Sequence, residues 1–396
     1  MAKYEIKDGV GIIPEWILEL EDEAFRGCLE LRRVIVPKWV RKIGKRAFYG
    51  CENLKEISLP EWLEEIDDEA FHGCFSLQEI ILPRWIRKIG DKSFCGCTGL
   101  IDFTIPPLVT KIGKMAFLGC DCLKNITASP RVMDTFSLGV ADMSLETKIE
   151  DGAFQRCTSL VGITIPESVT EIGNWVFSGC SNLNNVTIPS SVRVIGSMAF
   201  LGCTSLENIA IPSSVNAIKD GAFQGCSSLY SIVIPPLITE IESGTFQGCS
   251  CLRNISIPSS VREIGDGAFQ ACSNLTTVSL PPSVTGIGKM VFLGCSNLQN
   301  ITIPPSITKI EKGSFAGCSS LNSIDIPPSV TEIGWLAFQG CSGLTDISLP
   351  PSVRKIGKAA FSACTNLYEI RIPKGLKVEK DTFKNCSNVK VIRYRP

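Results

Sequence analysis

Histidine is almost missing from this 396-residue chain: His72 is the only one. Nucleophilic triads and most zinc sites draw on imidazole, so little room is left for either. Equivalent positions elsewhere in the chain carry Arg, Tyr, Leu, Gln or Ser, which reads His72 as a surface residue. Excess charge is missing too. Thirty-nine Lys and Arg against forty Asp and Glu leave a net charge of −1, with no general pull toward nucleic acid or an anionic membrane. No apolar run approaches the roughly eighteen residues of a membrane helix, so no membrane insertion is expected. Met1 to Lys7 lack an apolar signal core and Arg393 to Pro396 lack a lipid-anchor box, which on the sequence alone predicts a cytoplasmic chain. The Gly-Lys pairs at 44–45, 113–114, 288–289 and 357–358 lack the leading Gly and following Ser or Thr of a phosphate loop. The acidic runs at 21–23 and 67–69 lack calcium-loop spacing. No catalytic residue, cofactor or metal is therefore assigned, and no enzymatic activity is expected.

What is present is a period. A phenylalanine followed three residues later by a cysteine recurs sixteen times, from Phe25 and Cys28 to Phe383 and Cys386, nearly always in steps of 23. Periods of twenty to fifty residues signal a solenoid or array. In the unit beginning at Ile264, Leu275, Val278 and Leu280 are spaced as in a leucine-rich repeat, with Val278 and Leu280 on one strand face and Thr277 and Ser279 on the other. Pro281 cannot donate to a ladder and ends the strand. Val284 and Ile287 turn inward again, and Gly288 marks a bend. Ala268, Phe269 and Cys272 form a compact segment, read as a short turn or a helical turn. A unit of this size buries too little alone, so each depends on its neighbours.

The recurring Leu-x-x-Ile-x-Ile-Pro, Ser-Val-x-x-Ile-Gly and Ala-Phe-x-Gly-Cys pieces, as in Leu298 to Pro304 and Val330 to Cys341, resemble the BspA-like, or Treponema-type, leucine-rich repeats. The resemblance spans nearly the whole chain. It implies a leucine-rich repeat solenoid, a right-handed curved stack with a parallel sheet on its concave face and short turns or helical segments on its convex face. It also implies a binding or adhesion role, often at a cell surface, and no shared catalytic site.

Sixteen of the nineteen cysteines occupy the one slot after Phe, so they form a ladder. Their Cβ vectors run parallel, which suits buried free thiols better than disulfides. Cys95, Cys122 and Cys251 stand outside it. The chain divides into N-terminal repeats (1–128), an insertion (129–148), further repeats (149–373) and a degenerate cap (374–396) in which Val389, Ile392 and Tyr394 replace the regular strand residues. The insertion makes the step from Phe117 to Phe154 37 residues, 14 more than the period.

Candidate binding residues follow from slots expected to face outward. Trp16, Trp39, Trp62 and Trp85 recur two positions after the strand-ending proline, among turns whose charge alternates in sign from unit to unit. They serve either as a salt-bridged cap region or as a binding patch. The concave strands offer Asn184, Asn185, Thr187, Tyr230, Val233, Arg253, Asn254 and Ser256, and the C-terminal end adds Tyr368, Arg371 and Arg393. The sequence points to a noncatalytic scaffold for a protein or glycan ligand; the alternative is a structural spacer or self-associating array.

Overall fold

The computed structural model describes residues 3–129, 147–387 and 389–395. They form two compact units, Met1–Ser205 and Leu206–Pro396. Each is a β-solenoid whose repeats are joined by short parallel strands, with almost no helix.

In the first unit the repeats contribute strands at two places, except that residues 79–81 form no strand and divide the first stack in two. One stack uses the Leu-x-x-Ile-x-Ile strand: Arg33–Ile35 pairs in parallel with Glu56–Ser58, and Asn125–Ala128 lies between Asp102–Ile105 and Gly162–Thr164. At the N-terminus Ile6–Lys7 folds back antiparallel on Val10–Gly11, closing the first edge. A second stack, not anticipated from the sequence, uses the residues before the recurring glycine. Glu19–Leu20, Lys42–Ile43, Glu65–Ile66, Lys88–Ile89 and Lys111–Ile112 lie side by side in that order. Thr147–Ile149 continues it, with Ile112 opposite Ile149 despite the longer step. Thr147 and Lys148 therefore belong to a strand; the rest of the anticipated insertion from 130 lies outside the described residues.

The second unit repeats the plan. Asn254–Ser256, Thr277–Ser279 and Asn300–Thr302 form one stack, with Thr277 and Ser279 exposed and Val278 buried between them. Glu240–Ile241, Glu263–Ile264 and Gly286–Ile287 form the other.

The Ala-Phe-x-x-Cys segment is a turn in every regular repeat, so the helical option falls away. Its amide hydrogens alternate in direction. Ala47, Tyr49 and Cys51 donate within the turn to Gly44, Arg46 and Phe48, whereas Arg46, Phe48 and Gly50 donate across to Asp68, Ala70 and His72 in the next repeat. Every backbone donor is thus satisfied without a helix. The alternation needs a left-handed residue two before and two after the phenylalanine, here Arg46 (φ 56°) and Gly50 (φ 68°). Glycine carries the second position at no steric cost. At Gly44 the reason differs: a Cβ there would lie 2.5 Å from the Leu20 carbonyl oxygen of the preceding repeat.

The core is a column of phenylalanines. Adjacent rings stack at 5.1–5.7 Å from Phe25 to Phe200 in the first unit, and at 5.2–5.9 Å from Phe223 to Phe383 in the second. Beside it run the repeat cysteines, all free and buried except half-buried Cys386. Most of these thiols hydrogen-bond the phenylalanine carbonyl one repeat back, as Cys74 Sγ does to Phe48 O at 3.2 Å and Cys272 Sγ to Phe246 O at 3.1 Å, whereas Cys28, in the first repeat, turns to Arg26 O. Burial pushes the Cys51 thiol up to about 12 and drives Cys74, Cys249 and Cys318 well above the ordinary thiol range. These are inert packing groups.

Where the residue three before the phenylalanine is Asp or Asn, it forms a second polar staple. Asp68 Oδ1 accepts from Asp91 N, Asp91 Oδ1 from Lys114 N, and in a later repeat Asn174 Oδ1 from Ser197 N, at 2.8–3.0 Å. The charge alternation of the N-terminal repeats is used along the second stack. Lys88 Nζ lies 2.6 Å from Glu65 Oε1 and 3.1 Å from Asp67 Oδ1, and Lys42 Nζ lies 3.0 Å from Asp67 Oδ2. The last repeat departs from expectation. Val391, not Ile392, lies opposite Ile370, and Arg393 lies opposite Ile372, one residue out of the anticipated step. The shortened turn, a 3-10 helix over Lys380–Phe383, and the hydrogen bond from Tyr394 Oη to Leu349 O go with that slip.

Candidate binding surface

In the second unit the first stack turns alternate residues outward. Asn254, Thr277 and Asn300 form one exposed row, and Ser256, Ser279 and Thr302 a second. The residue just before each strand stands beside these rows. Tyr230 is 48% exposed there, and Arg253 occupies the same place one repeat later. Tyr230 Oη accepts a hydrogen bond from Asn208 Nδ2 at 3.3 Å, which orients the ring. Thr276 and Thr277 both donate to Asn254 Oδ1 at 3.2 Å, fixing that amide with its NH₂ group left to donate outward. The Arg253 guanidinium has no ion-pair partner among the described residues.

Two depressions result. One of about 530 Å³ is lined by Glu207, Ser228, Tyr230, Cys251, Arg253 and Asn274. The other, about 390 Å³, lies along the strands 254–256, 277–279 and 300–302, so the two adjoin at 253–254. Val233 is 75% exposed on the same stack. Of the sequence candidates, Tyr230, Val233, Arg253, Asn254 and Ser256 thus come together. The depression also recruits Glu207, Ser228 and Asn274, which the sequence reading missed. Glu207 stands one 23-residue step before Tyr230, and that step was the available signal.

The other candidates lie apart. Tyr368 is exposed six repeat steps beyond Tyr230. Arg371 Nε pairs with Glu369 at 2.9 Å, and Arg393 Nη1 donates to the Leu376 carbonyl at 2.9 Å, so both arginines are already engaged. In the first unit Asn184, Asn185 and Thr187 are exposed at the strand Asn185–Thr187. Trp16, Trp39 and Trp62 are exposed, Trp85 is half-buried, and Trp62 stacks on Trp85 at 5.6 Å. His72 stacks on Tyr49 at 4.7 Å, and burial lowers its pKa. Among the described residues no group of three or more His, Cys, Asp or Glu is placed to hold a metal, and no helix is long and apolar enough to cross a membrane.

A family profile described as the BspA type leucine rich repeat region, in six copies, matches residues 18–136, 147–276 and 262–390. The chain belongs to the BspA-type leucine-rich repeat family. Among solved structures, this BspA-type chain is similar to a leucine-rich repeat protein from Bacteroides ovatus, at 30% identity over 98% of this chain and 94% of that one, with a TM-score of 0.69. It is also similar to a leucine rich cell surface protein from Faecalibacterium prausnitzii (26% identity, 96% and 83% covered, TM-score 0.43). A third likeness is to a leucine-rich repeat protein of T. pallidum (30% identity, 50% and 78% covered, TM-score 0.37). No curated protein matches the chain.

Proposed function

We propose that this BspA-type chain is a noncatalytic binding scaffold, and that the second unit's outward strand face holds a protein or glycan ligand. The observation that supports this reading most is the meeting of Tyr230, Arg253 and Glu207 around one depression that opens onto the Asn254 and Ser256 rows. An exposed ring offers a flat apolar contact, and an unpaired guanidinium offers two-point recognition of a carboxylate or sulfate. The hydroxyl and amide rows offer many modest hydrogen bonds to a polar ligand. Affinity then comes from the Tyr230 and Arg253 anchors, with the rows supplying complementarity.

The test is a binding screen of the full chain against immobilised glycans and extracellular-matrix proteins. Any ligand found is then titrated against a Tyr230→Ala/Arg253→Ala variant. Two anchors each contributing more than about 1.4 kcal/mol correspond to a loss of roughly a hundredfold. Undiminished binding by a variant with an unchanged circular dichroism spectrum rejects this face. Surface labelling of the native cells distinguishes an adhesin, which is labelled, from an intracellular adaptor, which is not.

A further inference from the structure

The four N-terminal tryptophans sit at the tips of one set of turns. Ile17, Val40, Leu63 and Ile86 each donate a backbone hydrogen bond to the proline three residues earlier, which leaves a charged residue and a tryptophan at each tip. The tips read Glu15-Trp16, Lys38-Trp39, Glu61-Trp62 and Arg84-Trp85, and all four charged residues are exposed. Trp16 is 79% exposed, Trp39 54% and Trp62 46%, with Leu18 beside them at 65%. So much indole on one edge of a unit is a surface of the kind partners cover.

The order of signs along this row is negative, positive, negative, positive. The second stack spends its charges inside the chain, through Lys42, Glu65, Asp67 and Lys88. Three of the four tip charges are not spent in this way. Glu15, Lys38 and Glu61 enter no ion pair among the described residues. Lys38 instead lies over the Trp39 ring at 5.0 Å, and the Arg84 guanidinium over Trp85 at 5.2 Å.

We propose that this edge joins two copies of the chain about a two-fold axis that sets the two rows antiparallel. Reversing the row turns it into its own complement. Glu15 of one copy meets Arg84 of the other, and Lys38 meets Glu61, each contact occurring twice as an isologous interface requires. A two-fold that sets the rows parallel and in register places like charges together at all four tips. A uniformly charged ligand meets repulsion at every second tip. A second copy, reversed, is the occupant that the sign order fits, and the interdigitating indoles supply the buried apolar core. This surface lies in the first unit, so the inference stands independently of the ligand reading above.

The test uses the full chain in sedimentation equilibrium over a concentration series. The expected result is a reversible dimer weakened by salt. Lys38→Glu and Glu61→Lys each create two like-charged contacts, and each is expected to weaken the dimer by about tenfold or more. Combining both in one chain gives the order negative, negative, positive, positive, which is again complementary on reversal, so dimerisation returns. Mixing the two single variants is expected to give a heterodimer tighter than either homodimer. Trp16→Ala with Trp39→Ala is expected to weaken association with the charges intact. A chain that stays monomeric throughout overturns the proposal. So does a dimer indifferent to the single reversals, or a mixture of the two that forms no heterodimer. Because these side chains stand at exposed tips, circular dichroism is expected to stay unchanged in every variant.

Discussion

Replacing Phe338 by alanine removes a rung from the middle of the second unit's aromatic column. The ring is fully buried and stacks on Phe315 at 5.4 Å and on Phe361 at 5.2 Å, within 9° of parallel in both cases. Emptying a buried phenylalanine site costs about 3–5 kcal/mol, and losing two ring pairs pushes the value to the upper end, about 5 kcal/mol. Phe383, in the last repeat, is half-buried and stacks once, on Phe361 at 5.9 Å. Its removal is expected to cost about 2 kcal/mol. With a urea dependence of roughly 3 kcal/mol/M, these losses lower the unfolding midpoint by about 1.7 M and about 0.7 M. Circular dichroism in urea reads both, and the two variants share a unit, so they share a transition. A shift for Phe338→Ala no larger than that for Phe383→Ala refutes the idea that the column carries its load through both neighbours.

Other perturbations address the remaining contacts. Asp91→Ala removes the acceptor for Lys114 N and is expected to cost about 1 kcal/mol in urea unfolding, whereas Asp91→Asn is expected to cost little, since Asn174 fills the same role. Acid acts oppositely on two sets of carboxyls. Burial alone pushes Asp67 up, but hydrogen bonds from Lys42 and Lys88 outweigh it, and Arg46 holds Glu69 down, so both carboxyls titrate below their ordinary values. Their contribution is complete above the ordinary carboxylate range and fades as the pH falls through the lowered values. Glu240 is raised by burial, then by Glu242 and Glu263, so its charge opposes folding at neutral pH. Glu240→Gln is therefore expected to raise the thermal midpoint of its unit at pH 7 and to have little effect at low pH, where scanning calorimetry of both proteins is expected to coincide.

Much of this was readable because a 23-residue period repeats each signal many times. The inward Leu, Ile and Val, the outward Asn and Thr, and the buried thiols all follow from slots that hold the same residue type in repeat after repeat. What escaped has physical reasons. A two-residue strand such as Lys42–Ile43 is too short to show alternation, so the second stack was invisible. Phe48 and Cys51, three apart, share a face in a helix and in a tight turn alike, and nothing in Arg46 or Lys92 announces a left-handed backbone. The last strand slipped because only one neighbour enforces its register. The site was half legible: Tyr230 and Arg253 stand out as residue types, but Glu207 and Asn274 look ordinary until repeat steps bring them to one depression.

The sealing of each repeat's apolar edge by its neighbour is tested most directly by thiol labelling of the native chain. Nineteen free cysteines report on nearly every repeat. Exposed Cys122 is expected to react at once, and half-buried Cys95, Cys251 and Cys386 slowly. The fifteen buried thiols are expected to stay silent until denaturant is added, and then to react together with the loss of circular dichroism within each unit. Rapid native labelling at Cys74, Cys180 or Cys295 contradicts the account, because those side chains then face water and no neighbouring repeat covers them.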